Sequence, residues 1–407
     1  MAWWGSNTVE DAAVRSALVG QRDGPPASAI APSDGFRGLA GFAVAWLLVM
    51  ALKPPVLVGA WIVLLATALP MLAIELRRAP PPQARERGRS QWGLWLAGFL
   101  VATLPFVLLH AQGMGPQAWT LAWAVALPTL MLRLLIEARR NGALSVGFPS
   151  LLGQSLLARR LPPAEGLVPA LRLWSLKAFF IPLYALSLYA LIRLGLAAEL
   201  SSPVAWLSLA VVLAYTIDLS FGLSGYLFAS NDLAPTLRST QPRLLGWIVC
   251  LACYGPIIVH WPAFKAVVQQ EIGWPAALTA SPLVLLAALA MVLLLVLYVW
   301  GSVSFGLRFS NLSNRGLVSH GPYRWMKHPA YFAHVANAWI LCLILIPAAG
   351  VDLGWSQWLV PVAFTILYRM RAVTEEQHMS EDPAYRDYAA WIAQHGVLAR
   401  LRALFGR

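Results

Sequence analysis

Cysteine is scarce in this chain. Its 407 residues hold three, Cys250, Cys253 and Cys342, each inside an apolar stretch, so a disulfide framework is not expected. Cys250 and Cys253 have the C-x-x-C spacing of a redox or metal site. Without a second pair, and within an apolar segment, the spacing reads as two small buried hydrophobes. Histidine is also sparse, and neither H-x-x-x-H nor H-E-x-x-H occurs among the seven, which argues against a zinc enzyme. Charge is the largest deficit: 12% of residues are charged against 59% hydrophobic. No soluble globular class has that balance, and the chain reads as an all-α, polytopic integral membrane protein. The first 35 residues lack a long apolar run followed by a small-residue cleavage site, so they are expected to be a retained cytoplasmic arm and not a signal peptide.

What is abundant agrees with this. Apolar segments run over 36–52, 56–76, 91–111, 117–137, 170–197, 203–229, 244–262, 282–305, 329–349 and 355–370, most with the roughly 20 residues a spanning helix needs. About ten spans put both termini on one side. All Lys and Arg except Lys53, Arg193 and Lys265 then fall on the same side as the termini, which makes that side cytoplasmic. The densest clusters are Arg77, Arg78, Arg85, Arg87 and Arg89, then Arg139, Arg140, Arg159 and Arg160. The net charge of +12 is thus a topology signal, and no nucleic-acid partner is implied. Ala-, Leu- and Arg-rich usage suggests a bacterial chain in the inner membrane. Residues 138–169, with Phe148, Leu151, Leu152, Leu156 and Leu157, suit either a helix lying on the membrane surface or a loop tucked against the bundle. Residues 263–281 on the outer side, with Trp261 and Trp274, look interfacial. Pro80-Pro81-Pro82 marks a stiff loop.

Polar residues that break the apolar pattern are the candidates for chemistry. Asp218 lies mid-span and shares a helical face with Tyr215, Gly222 and Gly225. It suits a cavity wall or an interhelical hydrogen bond. Residues 315–334 form a polar, turn-rich interruption carrying cations, imidazoles and tyrosines, punctuated by Gly321-Pro322, with Pro329 placed to begin a helix. Glu375 and Glu376 follow the last apolar segment, and Arg371 and Glu375 are four apart on one helical face. A helical hairpin joins the two stretches, so antiparallel packing returns both to the same membrane surface.

The pieces Leu317-Val318-x-x-Gly321-x-Tyr323, Lys327-His328-Pro329-x-Tyr331, Arg371-x-x-x-Glu375-Glu376 and Tyr385-x-x-Tyr388 occur in order over about 300–395. This arrangement resembles the isoprenylcysteine carboxyl methyltransferase family, within the membrane-embedded methyltransferases that include phospholipid N-methyltransferases. It departs from the pattern in Lys327 for the usual Arg, which loses the planar fork, in Ala333 for Gly, in Met379 for Leu, and in Glu381-Asp382 for Phe-Gly.

The resemblance implies S-adenosylmethionine as methyl donor, in a cytosol-facing pocket of a C-terminal core over 281–407. A bundle over 36–280 and an arm over 1–35 would precede that core. It implies cofactor contacts from Leu317, Val318, His320, Gly321, Tyr323, His328, Pro329, Tyr331, Glu375 and Glu376. Backbone groups of Leu317, Val318 and His320 would meet the adenine and amino-acid ends. Arg371, aligned by Glu376, and Lys327 would act on the acceptor, a lipid or lipid-anchored molecule reached from the bilayer. A phospholipid N-methyltransferase, a nicotinamide-dependent membrane reductase of similar architecture, and a transporter with a degenerate domain are the alternatives.

Overall fold

A computed structural model describes residues 24–79, 90–141, 148–159, 164–229, 237–254, 281–348, 350, 352 and 354–405. The predictions on Pro80 to Pro82, Arg85, Arg87, Arg89, Arg160, Trp261, Lys265, Trp274 and the first 23 residues lie outside them.

The fold is nearly all helix. Helix α1 (Pro32–Leu52) begins four residues before the predicted span, with Pro at its first turn and Asp34 beside it. It stops where Lys53 takes a left-handed conformation, φ 43°, and its N–H caps the Val49 carbonyl. Pro54 and Pro55 then forbid continuation. Helix α2 (Val56–Arg78) returns antiparallel. The two approach closely at Gly38 and Gly41, where a Cβ would collide with Met71 and with the Ala66 carbonyl.

The next helical segment, α3 (Ser90–Asn141), covers two predicted spans. Phe99 and Trp123 touch edge to face, their centroids 5.4 Å apart, whereas 24 residues of straight helix would separate them by about 36 Å. The chain therefore reverses between them, as the two-span reading requires. Helix α4 (Phe148–Ala158) resolves the surface-or-tucked alternative toward packing. Gly98 of α3 and Gly153 of α4 meet the facing backbones so closely that neither has room for a Cβ, while Leu156 and Leu157 stay exposed.

Helices α5 (Ala164–Leu196) and α6 (Pro203–Phe228) form the next hairpin, α6 capped by Ser202. The α6 hydroxyls of Thr216, Ser220 and Ser224 bond carbonyls four residues back, so its polar stripe is satisfied within the helix. A short helix α7 (Leu244–Ala252) follows.

Helix α8 (Pro282–Phe305), capped by Ser281, ends at Gly306, φ 50°. Helix α9 (Pro329–Ile340) starts at the expected proline and continues through a π-helical stretch, Leu341–Leu345, to Ala348. Helix α10 (Ser356–Met379) carries the glutamate pair. Helix α11 (Pro383–His395), capped by Asp382, and α12 (Val397–Phe405) close the chain.

Among the described residues seven helices are long and apolar enough to cross a membrane, and each coincides with a predicted span. The predicted span 91–111 contributes a shorter apolar helix, Gly93–Leu104. Only the first turns of 244–262 are described. The last predicted span opens α10, whose second half bears Arg369, Arg371, Glu375 and Glu376.

One apolar cluster joins α1, α2, α3, α5 and α6, and a second joins α6 to α8, α9 and α10. Helix α6 thus belongs to both halves of the molecule. A two-residue antiparallel ribbon, β1 (Ser239–Thr240) with β2 (Ser313–Asn314), pins the loop after α8. That loop lies hard against α6: a Cβ on Gly225 would come within 2.2 Å of the Phe309 carbonyl oxygen. Gly225→Ala is therefore expected to destabilise the protein by about 1–3 kcal/mol. The control Gly166→Ala, in open space, should not. Thermal unfolding followed by tryptophan fluorescence in detergent checks the pair, and equal Tm values would refute the close approach.

Candidate active site

A cavity of about 370 Å³ lies where α5, α6 and α8 meet the 308–318 loop and α9, α10 and α11. That volume is within the range of small-molecule sites. Leu317, Val318, Tyr323, Lys327, His328, Tyr331, Arg371 and Glu375 all line it.

The turn 321–324 is set by Gly321, φ 59°. A Cβ there would press on Ser304 Oγ and Trp300 Nε1 of α8, so only glycine lets the turn lie on that helix. Tyr388 of α11 reaches across and donates its O–H to the Tyr323 carbonyl at 2.6 Å. The tyrosine pair after the hairpin therefore holds the cationic loop closed. Burial pushes the phenols of Tyr323, Tyr385 and Tyr388 up, and they act as neutral groups.

Glu376 grips the loop with both oxygens. Oε2 accepts from Lys327 Nζ at 2.7 Å and Oε1 meets His328 Nε2 at 3.0 Å. Burial alone raises its carboxyl, but His328 and Lys327 more than offset this and hold it below its ordinary value. The neighbouring Glu375 accepts instead from the Tyr331 hydroxyl. The Tyr331 ring stacks on His328, with centroids 4.9 Å apart and planes 6° from parallel.

Arg371 is 6% exposed. Its guanidinium lies over the rings of Tyr331, Tyr254 and Tyr368 at 4.8, 5.5 and 5.8 Å. It donates to Asn311 Oδ1 at 2.6 Å and to the Tyr254 hydroxyl at 3.4 Å. No carboxylate among the described residues lies within ion-pair distance of it.

The structure places several of these residues differently from the sequence reading. Glu376 does not align Arg371; consecutive helical residues point about 100° apart, and Glu376 faces the loop while Asn311 takes the guanidinium. Arg371 and Glu375, four apart on one face, make separate contacts: Tyr331 bonds the carboxylate and Asn311 the cation. The Leu317 carbonyl does not face a ligand: the Ala29 N–H takes it at 2.7 Å, and Ser319 donates to the Pro26 carbonyl at 2.6 Å. Part of the presumed arm is thus docked on the loop, with Ile30 buried beside Leu317 and Val318. Finally, His320, Gly321, Pro329 and Glu376 lie off the cavity wall. His320 bonds the Ile30 backbone, while Gly321 and Pro329 shape a turn and a helix start.

Asp218 meets both readings offered for it. It accepts from Ser302 of α8 at 2.5 Å and also lines the cavity. Asn311, Tyr184, Tyr226 and Tyr254 were not singled out by the sequence. Polar atoms within apolar spans were the available signal for the tyrosines. Asn311 stands in a short polar loop, where asparagine is ordinary.

Residues 280–381 match the isoprenylcysteine carboxyl methyltransferase family. No curated protein and no solved structure matches the chain. The family segment holds Asn311, Tyr323, Lys327, His328, Tyr331, Arg371, Glu375 and Glu376; the cavity residues of α5 and α6, together with Tyr254, precede it. With seven apolar helices of spanning length among the described residues, the match supports a membrane methyltransferase.

The Glu376 contacts generate a pH prediction. A carboxyl held low stabilises the fold above its unfolded pKa, and loses that contribution as pH falls through the folded one. Glu376→Gln should cost about 1–3 kcal/mol at neutral pH. The gap to the wild type should close as pH drops through and below the carboxylate range. Unfolding midpoints compared across pH check this; a gap that persists in acid would contradict it.

Proposed function

We propose that the chain is an integral membrane methyltransferase that uses S-adenosylmethionine to methylate a lipid or lipid-anchored acceptor. One observation carries the reading: motif residues scattered through the family segment line a single cavity around a buried guanidinium. The side chains present suit such a donor. Glu375 offers acceptor oxygens to a ribose or an ammonium. Leu317 and Val318 give an apolar wall beside the phenols of Tyr323 and Tyr385, suited to a flat base. Lys327 and His328, locked by Glu376, present cationic and imidazole N–H groups to an anionic end.

When bound, S-adenosylmethionine supplies a methyl group already activated on a sulfonium. The protein's task is then alignment and exclusion of water. A carboxylate acceptor needs no base, only a cation to hold it, and Arg371 is a buried one without a carboxylate partner among the described residues. Asp218 in the same cavity favours a second reading, an amine acceptor whose proton a carboxylate would take. The expected topology belongs to this proposal: about ten spans, both termini cytoplasmic, in a bacterial inner membrane, with the acceptor entering from the bilayer.

Membranes containing the protein should transfer labelled methyl from S-adenosylmethionine into the organic phase, and Arg371→Ala should lower transfer by about 100-fold or more. Base-labile label, released as methanol, marks an ester; base-stable label marks an amine. No label in the organic phase would overturn the reading.

A further inference from the structure

Asn311 joins two groups of residues that the sequence kept apart. On one side its Oδ1 accepts from Arg371 at 2.6 Å. On the other its Nδ2, with two hydrogens to donate, lies 2.8, 3.0 and 3.3 Å from the hydroxyls of Tyr254, Tyr226 and Tyr184, and its backbone N–H donates to Tyr226 at 2.8 Å. These tyrosines come from α5, α6 and the turn after α7, all before residue 280. Phe180 packs them into a rigid group, stacked on Tyr226 with centroids 4.9 Å apart and planes 6° from parallel, and edge-on to Tyr184 and Tyr254. The loop that carries Asn311 is fixed independently by the β1–β2 ribbon and by the Gln241 N–H bond to the Leu312 carbonyl.

The residue type matters. A carboxamide accepts at one end and donates at the other, so it can turn one face to a guanidinium and the other to phenol oxygens. A carboxylate would accept at both ends and neutralise the arginine. The other groups around Arg371 are chiefly ring faces, which attract a cation without fixing its direction.

We propose that Asn311 is a positioning residue that aims Arg371 at the acceptor, and that the bundle before residue 280, through Tyr184, Tyr226 and Tyr254, is thereby part of the acceptor site. This rests on the reading that Arg371 holds an anionic group of the acceptor.

The test uses the full-length protein saturated with S-adenosylhomocysteine, with N-acetyl-S-farnesylcysteine and its methyl ester as probes. The wild type should bind the free acid about tenfold or more tightly than the ester. Asn311→Asp should reduce that preference to about twofold or less, with S-adenosylhomocysteine affinity changed by no more than about threefold. Tyr226→Phe keeps the ring stack but removes a hydroxyl that Asn311 contacts twice, and should weaken the preference by about threefold. It also serves if Asn311→Asp does not fold. Undiminished preference for the acid in both variants overturns the proposal. So does an equal loss of affinity for acid, ester and S-adenosylhomocysteine, which marks a merely structural role. A wild type that binds S-adenosylhomocysteine but does not distinguish acid from ester removes the Arg371 reading, and this proposal with it. A wild type that does not bind S-adenosylhomocysteine removes the donor.

Discussion

The arrangement depends on a guanidinium taken out of water with no carboxylate among the described residues to meet it. Burying an unpaired charge costs several kcal/mol, and a helix bearing Arg371 would ordinarily turn it outward or pair it. Here a carboxamide, a phenol and three aromatic rings share the burden. None of these groups cancels the charge. A cation so held keeps its attraction for an anion that enters the cavity, which a salt bridge would have spent.

Much of the surrounding architecture keeps that cavity open and its groups apart. Glu376, one residue from the carboxylate that Tyr331 holds, locks Lys327 and His328 in the cavity wall. Tyr388 ties the same loop to α11. Docking of residues 26–30 onto 317–319 closes the loop from outside. On the inner side, the missing Cβ of Gly225 lets the Phe309 backbone lie against α6, which brings Asn311 to the tyrosines. Helix packing and site chemistry are therefore one problem, solved by the same close contacts.

The sequence made the helical part plain because spanning helices need long apolar runs, and Pro329 marked the start of α9. The hairpin logic that brings His328 and Tyr331 to Arg371 and Glu375 was legible too, since two antiparallel helices leave little choice. What pairs with what was not. Glu375 and Glu376 are equivalent in a string of letters, and only their angular separation on α10 assigns one to Tyr331 and the other to the loop. Asn311 reads as a turn residue, and Tyr184, Tyr226 and Tyr254 read as aromatics of apolar spans; their convergence depends on tertiary contacts between distant segments. The Pro- and Ser-rich stretch before α1 has the composition of a free arm, and its backbone bonds to 317–319 leave no mark in composition.

The proposed function requires that this cavity accept a sulfonium methyl donor. Calorimetric titration of the detergent-purified protein with S-adenosylhomocysteine, run beside NADPH, tests it most directly. Saturable binding of S-adenosylhomocysteine, and none of NADPH, is the expected result. A folded protein that binds NADPH and not S-adenosylhomocysteine would contradict it.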